Sequence, residues 1–169
     1  MSRGFVKEED QEEAPVIPPR AALPAGVNNY VTANSYALLL SEKEALETKQ
    51  KNLPKDNETE RRRASMEIDG RLQLLNARIQ SARIIDLSKQ PQNEVRFGAR
   101  VHFKKGKQSL NFQIVGVDEA DVKSQKIAFT APIAKALIGK KIGDIVDFKL
   151  GRETQKIKIL NISYPKKEH

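Results

Sequence analysis

Leu110-Asn111-Phe112-Gln113-Ile114-Val115-Gly116-Val117-Asp118-Glu119-Ala120-Asp121 is the stretch on which the fold turns. In its first half apolar Leu110, Phe112 and Ile114 alternate with polar Asn111 and Gln113, the period of a half-buried strand. The second half breaks into an acidic turn. Outward from it, Val95–Phe97, Ala99–Lys104, Lys126–Phe129, Ile145–Leu150 and Lys156–Leu160 read as further short strands. Lys105-Gly106-Lys107 and Gly151-Arg152 are natural hairpin turns. Pro132 to Ile138 reads as one short helix, with Pro132 in its first turn. These elements predict a small, strongly bent antiparallel sheet capped by a helix over residues 95–164.

Upstream the period is helical instead. Thr32 or Asn34 can cap a first helix carrying Tyr36, Leu39, Leu46 and Leu53, with Lys43 and Gln50 interrupting the stripe. Pro54 ends it, since proline cannot sit in a helix interior and disfavours a helical residue before it. Asn57 followed by Glu60 reads as the capping box of a second helix. Along it Ile68, Leu72, Leu75, Ile79 and Ala82 recur at 4, 3, 4, 3 spacing, a heptad seam. Gly70 interrupts that helix at a cost of about 1 kcal/mol. Two helices with one apolar stripe each, joined by a short polar turn, bury those stripes against one another, so an antiparallel coiled-coil hairpin is expected over 30–86 with its tip at about 52–58. Residues 87–94 read as a linker. The fold class expected is therefore α+β.

The leader, 1–29, carries Glu8-Glu9-Asp10-Gln11-Glu12-Glu13 and then Pro15, Pro18, Pro19 and Pro24. With few large apolar groups it is expected to be a disordered, acidic and proline-rich tail, and 165–169 a basic one.

Composition removes several function classes. The 169 residues contain no Cys and no Trp, which excludes disulfides, thiolate zinc sites and a cysteine nucleophile. The two histidines are His102 and His169, too few for a histidine metal cluster, and His102 reads as an outward strand position. No apolar run reaches the ~20 residues of a membrane span and no signal-peptide core opens the chain, so a cytoplasmic protein without a membrane partner is expected. The net charge of +8 is uneven. Val95 to His169 holds 16 Lys/Arg against 7 Asp/Glu, whereas Met1 to Arg20 holds 3 against 5. A basic domain suits nucleic acid or an acidic protein surface. The second helix adds Arg61, Arg62, Arg63, Arg71, Arg78 and Arg83, a basic face that is either solvated or a phosphate-contacting track.

Several motifs together resemble the Gre transcript-cleavage factors. They are Phe97-Gly98-Ala99-Arg100-Val101, Ile114 to Asp121, Ala131-Pro132-Ile133-Ala134-Lys135-Ala136-Leu137-Ile138-Gly139 and the connector Ser81-Ala82-Arg83-Ile84-Ile85-Asp86. The resemblance covers roughly Tyr30 to Tyr164; the leader has no counterpart in the usual family plan. It implies an FKBP-like C-terminal domain that binds bacterial RNA polymerase at the rim of the secondary channel, near the β′ subunit, while the hairpin enters the channel of an elongation complex with its nascent RNA and DNA. On that plan Asp118, Glu119, Asp121, Thr130, Ala131 and Pro132 belong to the docking surface. The factor is no enzyme and holds no cofactor or metal alone. It acts as a monomer that lends a tip carboxylate to a Mg²⁺ shared with the polymerase active site, where two metal ions support hydrolysis of backtracked RNA.

This chain departs from the family in two places. Ala131 stands where the family usually has Ser. The usual tip, close to Gly-Asp-Leu-Lys-Glu-Asn-Ala-Glu-Tyr, is replaced by Asn52-Leu53-Pro54-Lys55-Asp56-Asn57-Glu58-Thr59-Glu60. That leaves Asp56, Glu58 and Glu60 as candidate donors, although carboxylates in a first helical turn also favour its positive end. Each arm is shorter than usual by about seven residues, on the order of 10 Å at ~1.5 Å per residue. The hairpin therefore either stimulates cleavage or occupies the channel without donating metal. From other classes, a basic nucleic-acid-binding adaptor and a prolyl isomerase remain; the latter needs a deep aromatic pocket, whereas Phe97, Phe103, Phe112, Phe129, Phe148 and Tyr164 are mostly expected in the core.

Overall fold

The computed structural model describes residues 14–166. Strand β1 (Asn29–Val31) leads into helix α1 (Ala33–Lys51), which Thr32 opens by accepting the Ser35 N–H at 3.0 Å. Helix α2 (Glu58–Ser81) begins behind Asn57, whose side chain accepts the Glu60 N–H at 3.1 Å. Both caps satisfy amide donors that a helix start leaves unpaired. The helices run antiparallel. Gln50, near the end of α1, donates to Asp69 and Ser65 near the start of α2, and Leu39, Ile68 and Leu75 are buried along the helices. Strand β2 (Ala82–Ile84) then pairs parallel with β1, Tyr30 facing Arg83, so the hairpin's two ends are sewn together at its base.

The sheet contains β3 (Arg100–Lys105), β4 (Gln108–Val115), β5 (Lys126–Ala128), β6 (Ile145–Leu150) and β7 (Glu153–Ser163), in the order β5-β4-β3-β7-β6. Tight turns at Gly106-Lys107 and Gly151-Arg152 close the β3–β4 and β6–β7 hairpins, as their sequences anticipate. Helix α3 (Pro132–Leu137) packs Ala134 and Leu137 onto one face of the sheet, against Val101, Phe103, Ile114, Ile157 and Ile159. All of these are fully or almost fully buried, and they form the core.

Three expectations need correction. The sheet is not wholly antiparallel: β5 pairs parallel with β4, Ile114 facing Ile127, because the acidic loop and a turn of 3-10 helix at Val122–Ser124 carry the chain back across before β5 starts. Residues 95–97 form no strand. Val95 is instead anchored by its N–H to the Lys140 carbonyl and by its own carbonyl to the Gly139 N–H, which ties this segment to the end of α3. Finally, of the leader expected to be disordered, residues 1–13 lie outside the described residues. Residues 14–28 run along the hairpin as a strap. Ile17 packs over Gly70 of α2, where a Cβ would stand 2.6 Å from Ile17 Cδ1. The glycine that weakens the helix makes room for the strap.

The hairpin meets the sheet at Gly116. The Tyr30 carbonyl of β1 lies so close above this residue that any Cβ would overlap it, and what the Cβ would meet is backbone, not a side chain free to turn away. Around the crossing, Tyr30, Phe97 and Phe129 pack as a trio with ring centroids 5.6 to 6.0 Å apart.

Two outcomes follow. Gly116→Ala is expected to cost about 2 to 3 kcal/mol in urea unfolding, since neither backbone can yield. Gly106→Ala, at a turn with φ of 63° and open space around it, should cost only about 1 kcal/mol; equal costs would refute a steric role for Gly116. At α3, Ala131 occupies the N-cap with extended backbone and makes no side-chain cap bond. Ala131→Ser is therefore expected to stabilise by about 1 kcal/mol, measured in the same way.

Candidate functional site

The acidic loop after β4 is the place where every part of the chain converges. Gly116 and Val117 carry the backbone beneath β1, and the next two side chains turn inward. Asp118 accepts from Arg20 Nε at 3.0 Å and from Arg78 Nη1 at 2.9 Å. Its side chain is only 3% exposed. Arg20 also grips Glu42 of α1 with both terminal nitrogens, at 2.6 and 3.2 Å. Arg78 of α2 donates in addition to the Ala21 carbonyl of the strap. One carboxylate thus gathers strap, both hairpin helices and sheet domain. The Glu42 hydrogen bond, ahead of the contribution of Asp118, holds the Arg20 guanidinium above its ordinary range, so that it stays charged at any relevant pH.

Glu119 repeats the arrangement on the other side of the crossing. It accepts from Thr32 Oγ1 at 2.7 Å and Asn34 Nδ2 at 3.2 Å, and Lys126 Nζ lies 3.1 Å away. Its side chain is 4% exposed. Thr32 therefore serves twice, capping α1 with its oxygen as acceptor and donating its hydroxyl proton to Glu119. Charge-assisted hydrogen bonds of this kind are about twice as strong as neutral ones, and they are strongest where water is excluded.

The residues expected to form a docking surface thus fall into two groups. Asp118 and Glu119 face inward and are consumed by contacts within the chain, so they present no carboxylate to a partner. Asp121 is exposed, its side chain accepting from Lys123 N and Ser124 Oγ. Pro132 is exposed, while Thr130 and Ala131 are half-buried beside it. The basic hairpin face divides likewise. Arg61, Arg62 and Arg63 are exposed in the first turns of α2, Arg71 pairs with Glu67 one turn back at 2.9 Å, and Arg78 is withdrawn into the Asp118 clamp. Arg20, Glu42, Thr32 and Asn34 complete the clamp, although local pattern marks Thr32 and Asn34 only as cap candidates and Arg20 and Glu42 not at all. The one available signal was a lone cation, Arg20, set between Pro19 and Ala21.

At the hairpin tip Asp56, Glu58 and Glu60 are all exposed, with Glu58 and Glu60 in the first turn of α2. Among the described residues no three His, Asp or Glu side chains converge on a point where they could hold a metal ion by themselves. Of the aromatics, Phe97, Phe103 and Phe148 are buried, and Phe112 stacks on Phe103 with centroids 6.1 Å apart. A shallow concavity of the sheet domain is lined by Lys104, Gly106, Ile145, Thr154, Gln155, Lys156 and Lys158, without an aromatic ring. This is not the pocket of a prolyl isomerase. No helix among the described residues is long and apolar enough to cross a membrane.

Residues 90–164, the whole sheet domain with its α3 cap, match the family model described as transcription elongation factor GreA/GreB, C-terminal. The chain carries a GreA/GreB C-terminal domain. It is 44% identical over 99 residues to the transcription elongation factor GreA of Thermodesulfovibrio yellowstonii, a match covering 57% of this chain and 63% of that protein. With GreA of Legionella pneumophila strain Corby it shares 42% over 100 residues, covering 57% and 62%. The chain thus spans less than two thirds of the length of these relatives. Among solved structures, the GreA factor homolog Gfh1 of Thermus thermophilus superposes with a TM-score of 0.37 at 18% identity, covering 80% of this chain and 99% of that one. A GreA/GreB factor from Nitrosomonas europaea gives 0.40 at 22%, covering 80% and 98%.

Within this chain the clamp makes a quantitative demand. Removing the charge of Asp118 leaves Arg78 half-partnered in a buried setting, so Asp118→Asn is expected to cost about 3 kcal/mol. Urea unfolding measures it, and hydrogen exchange should show the base of α1 and α2 opening before the sheet. A loss below about 0.5 kcal/mol, the range of ordinary surface substitutions, would show that the clamp does not hold the hairpin.

Proposed function

We propose that this protein is an RNA polymerase-binding elongation factor of Gre type. Its FKBP-like C-terminal domain docks at the secondary channel beside the β′ subunit, and its coiled-coil hairpin enters the channel of the elongation complex, with one copy per polymerase. The single observation that carries this reading is the joining of a GreA/GreB C-terminal domain to a helical hairpin through a buried ionic clamp. Such a joint lets the docked domain dictate where the tip points. Docking would fall to Asp121, Thr130 and Pro132, which the clamp leaves at or near the surface, with Ala131 setting the start of α3.

Two actions at the tip are compatible with that placement. If the tip reaches the active site, Asp56, Glu58 and Glu60 are the hard oxygen donors that could share a Mg²⁺ with the polymerase, and the chain would stimulate cleavage of backtracked RNA without being an enzyme itself. The hairpin's dimensions favour the other action. Its first arm has 19 residues, about 28 Å at ~1.5 Å per residue. Asn57, Glu58 and Glu60 also have a structural task at the positive end of α2. Occupation of the channel, slowing nucleotide entry without lending metal, fits both facts.

A tagged chain should recover core RNA polymerase at moderate salt, and Pro132→Asp should weaken recovery at least tenfold. Failure of the wild type to recover polymerase would refute the proposal. Stalled, backtracked complexes incubated with the protein and Mg²⁺ then separate the two actions. RNA shortening that is lost in Asp56→Ala, Glu58→Ala or Glu60→Ala identifies cleavage stimulation. Slower nucleotide addition without shortening identifies occupation.

A further inference from the structure

The solvent face of the sheet has a composition that neither the core nor the hairpin explains. Alternation assigns it: Val101 and Phe103 of β3, Ile157 and Ile159 of β7, and Val146 and Phe148 of β6 point into the core under α3. Arg100, His102 and Lys104 therefore line the opposite face of β3, Lys156 and Lys158 that of β7, and Ile145, Asp147 and Lys149 that of β6. Pairing places these cations side by side. Lys104 sits opposite Lys158, and Arg100 opposite Ser163 and Gln113. Five Lys or Arg side chains face one carboxylate on these three strands. That carboxylate, Asp147, lies 3.5 Å from Lys156 in a pair whose side chains are 76% and 65% exposed. Like charges opposite one another in a sheet are destabilising, so the fold tolerates a cost at Lys104–Lys158 that a mixed surface would avoid.

We infer that this sheet face is a docking surface for the phosphodiester backbone of duplex nucleic acid. Three features select that occupant. Alternate residues of β3 place Arg100, His102 and Lys104 roughly 7 Å apart along the strand, comparable with the separation of successive phosphates on one nucleic-acid strand. Asn111 and Asn161, facing His102 from either side, and Thr154 on β7 supply neutral hydrogen-bond donors between the charges, the residue types that position a duplex through its backbone. No Phe, Tyr or Trp of β3, β6 or β7 lies on this face, since Phe103 and Phe148 point inward, so apart from the His102 imidazole the stacking that unpaired bases require is missing and a duplex is favoured over a single strand. The surface is continuous with the shallow concavity bounded by Lys104, Lys156 and Lys158. The inference does not depend on polymerase docking, and its test contains no polymerase.

Fluorescence anisotropy with a labelled duplex DNA of about 20 base pairs should give the full-length chain a Kd in the range of about 10⁻⁴ to 10⁻⁶ M near physiological salt. Arg100→Glu/Lys104→Glu/Lys158→Glu should weaken binding at least tenfold and flatten the slope of log Kd against log salt by about 3, since each lost phosphate contact removes about 0.9. Circular dichroism checks that the variant is folded; should it not be, Arg100→Gln/Lys104→Gln/Lys158→Gln makes the same test. Arg61→Glu/Arg62→Glu/Arg63→Glu on the hairpin should retain most of the affinity. Unchanged binding by the sheet variants overturns the inference. So does tighter binding to single-stranded RNA or DNA of equal length than to the duplex, and so does displacement by polyglutamate as effective, per charge, as by unlabelled duplex, which would identify an acidic protein surface as the occupant.

Discussion

Two adjacent carboxylates, Asp118 and Glu119, are withdrawn from water at the crossing where the hairpin meets the sheet, and the arrangement of strap, hairpin and sheet depends on their being satisfied there. An unpaired buried carboxylate costs several kcal/mol. Each of these is instead met by two or more donors, Asp118 by Arg20 and Arg78, Glu119 by Thr32, Asn34 and Lys126. The donors come from the strap, from α2, from the start of α1 and from β5. Displacing Arg20, Arg78 or Lys126 takes away a charged partner of a nearly buried carboxylate, so strap, hairpin and sheet share one fate. Gly116 is the steric half of the same constraint. It lets β1 approach closely enough for the flanking carboxylates to reach their partners.

Much of this architecture is legible in the residues because it is local. Asn57 before Glu60 announces a helix start, Pro54 a helix end, and Gly106 and Gly151 mark tight turns; all are decided within a few positions by backbone sterics and unpaired amides. The core positions are legible for the same reason, since Val101, Phe103, Ile157 and Ile159 alternate strictly. The clamp is not. Arg20 and Asp118 lie 98 positions apart, and nothing in the composition of a proline-rich leader says that its arginine will fold back onto a loop of the sheet. The resemblance to the Gre factors implies a docking role for Asp118 and Glu119, and nothing local in the acidic loop says that their side chains turn inward. The parallel pairing of β4 and β5 escaped for a related reason, because a strand's direction is set by how its connection wraps, which alternation does not encode.

The residues that carry the resemblance to the Gre family therefore have an internal purpose. Val115 to Asp121 is the hinge-point of assembly between two parts of the chain. The tip, by contrast, is free of such duties apart from the capping by Asn57.

A rigid root has a geometric consequence for a slender arm. The hairpin is a lever about 28 Å long, so a tilt of roughly 5° at its base would sweep the tip through about 2.5 Å, more than the tolerance of a metal–oxygen bond. The strap, running from Ile17 on α2 to Arg20 at the crossing, acts on that lever as a guy-rope does on a mast. Aim is thereby stored in the leader, far in sequence from the residues that are being aimed.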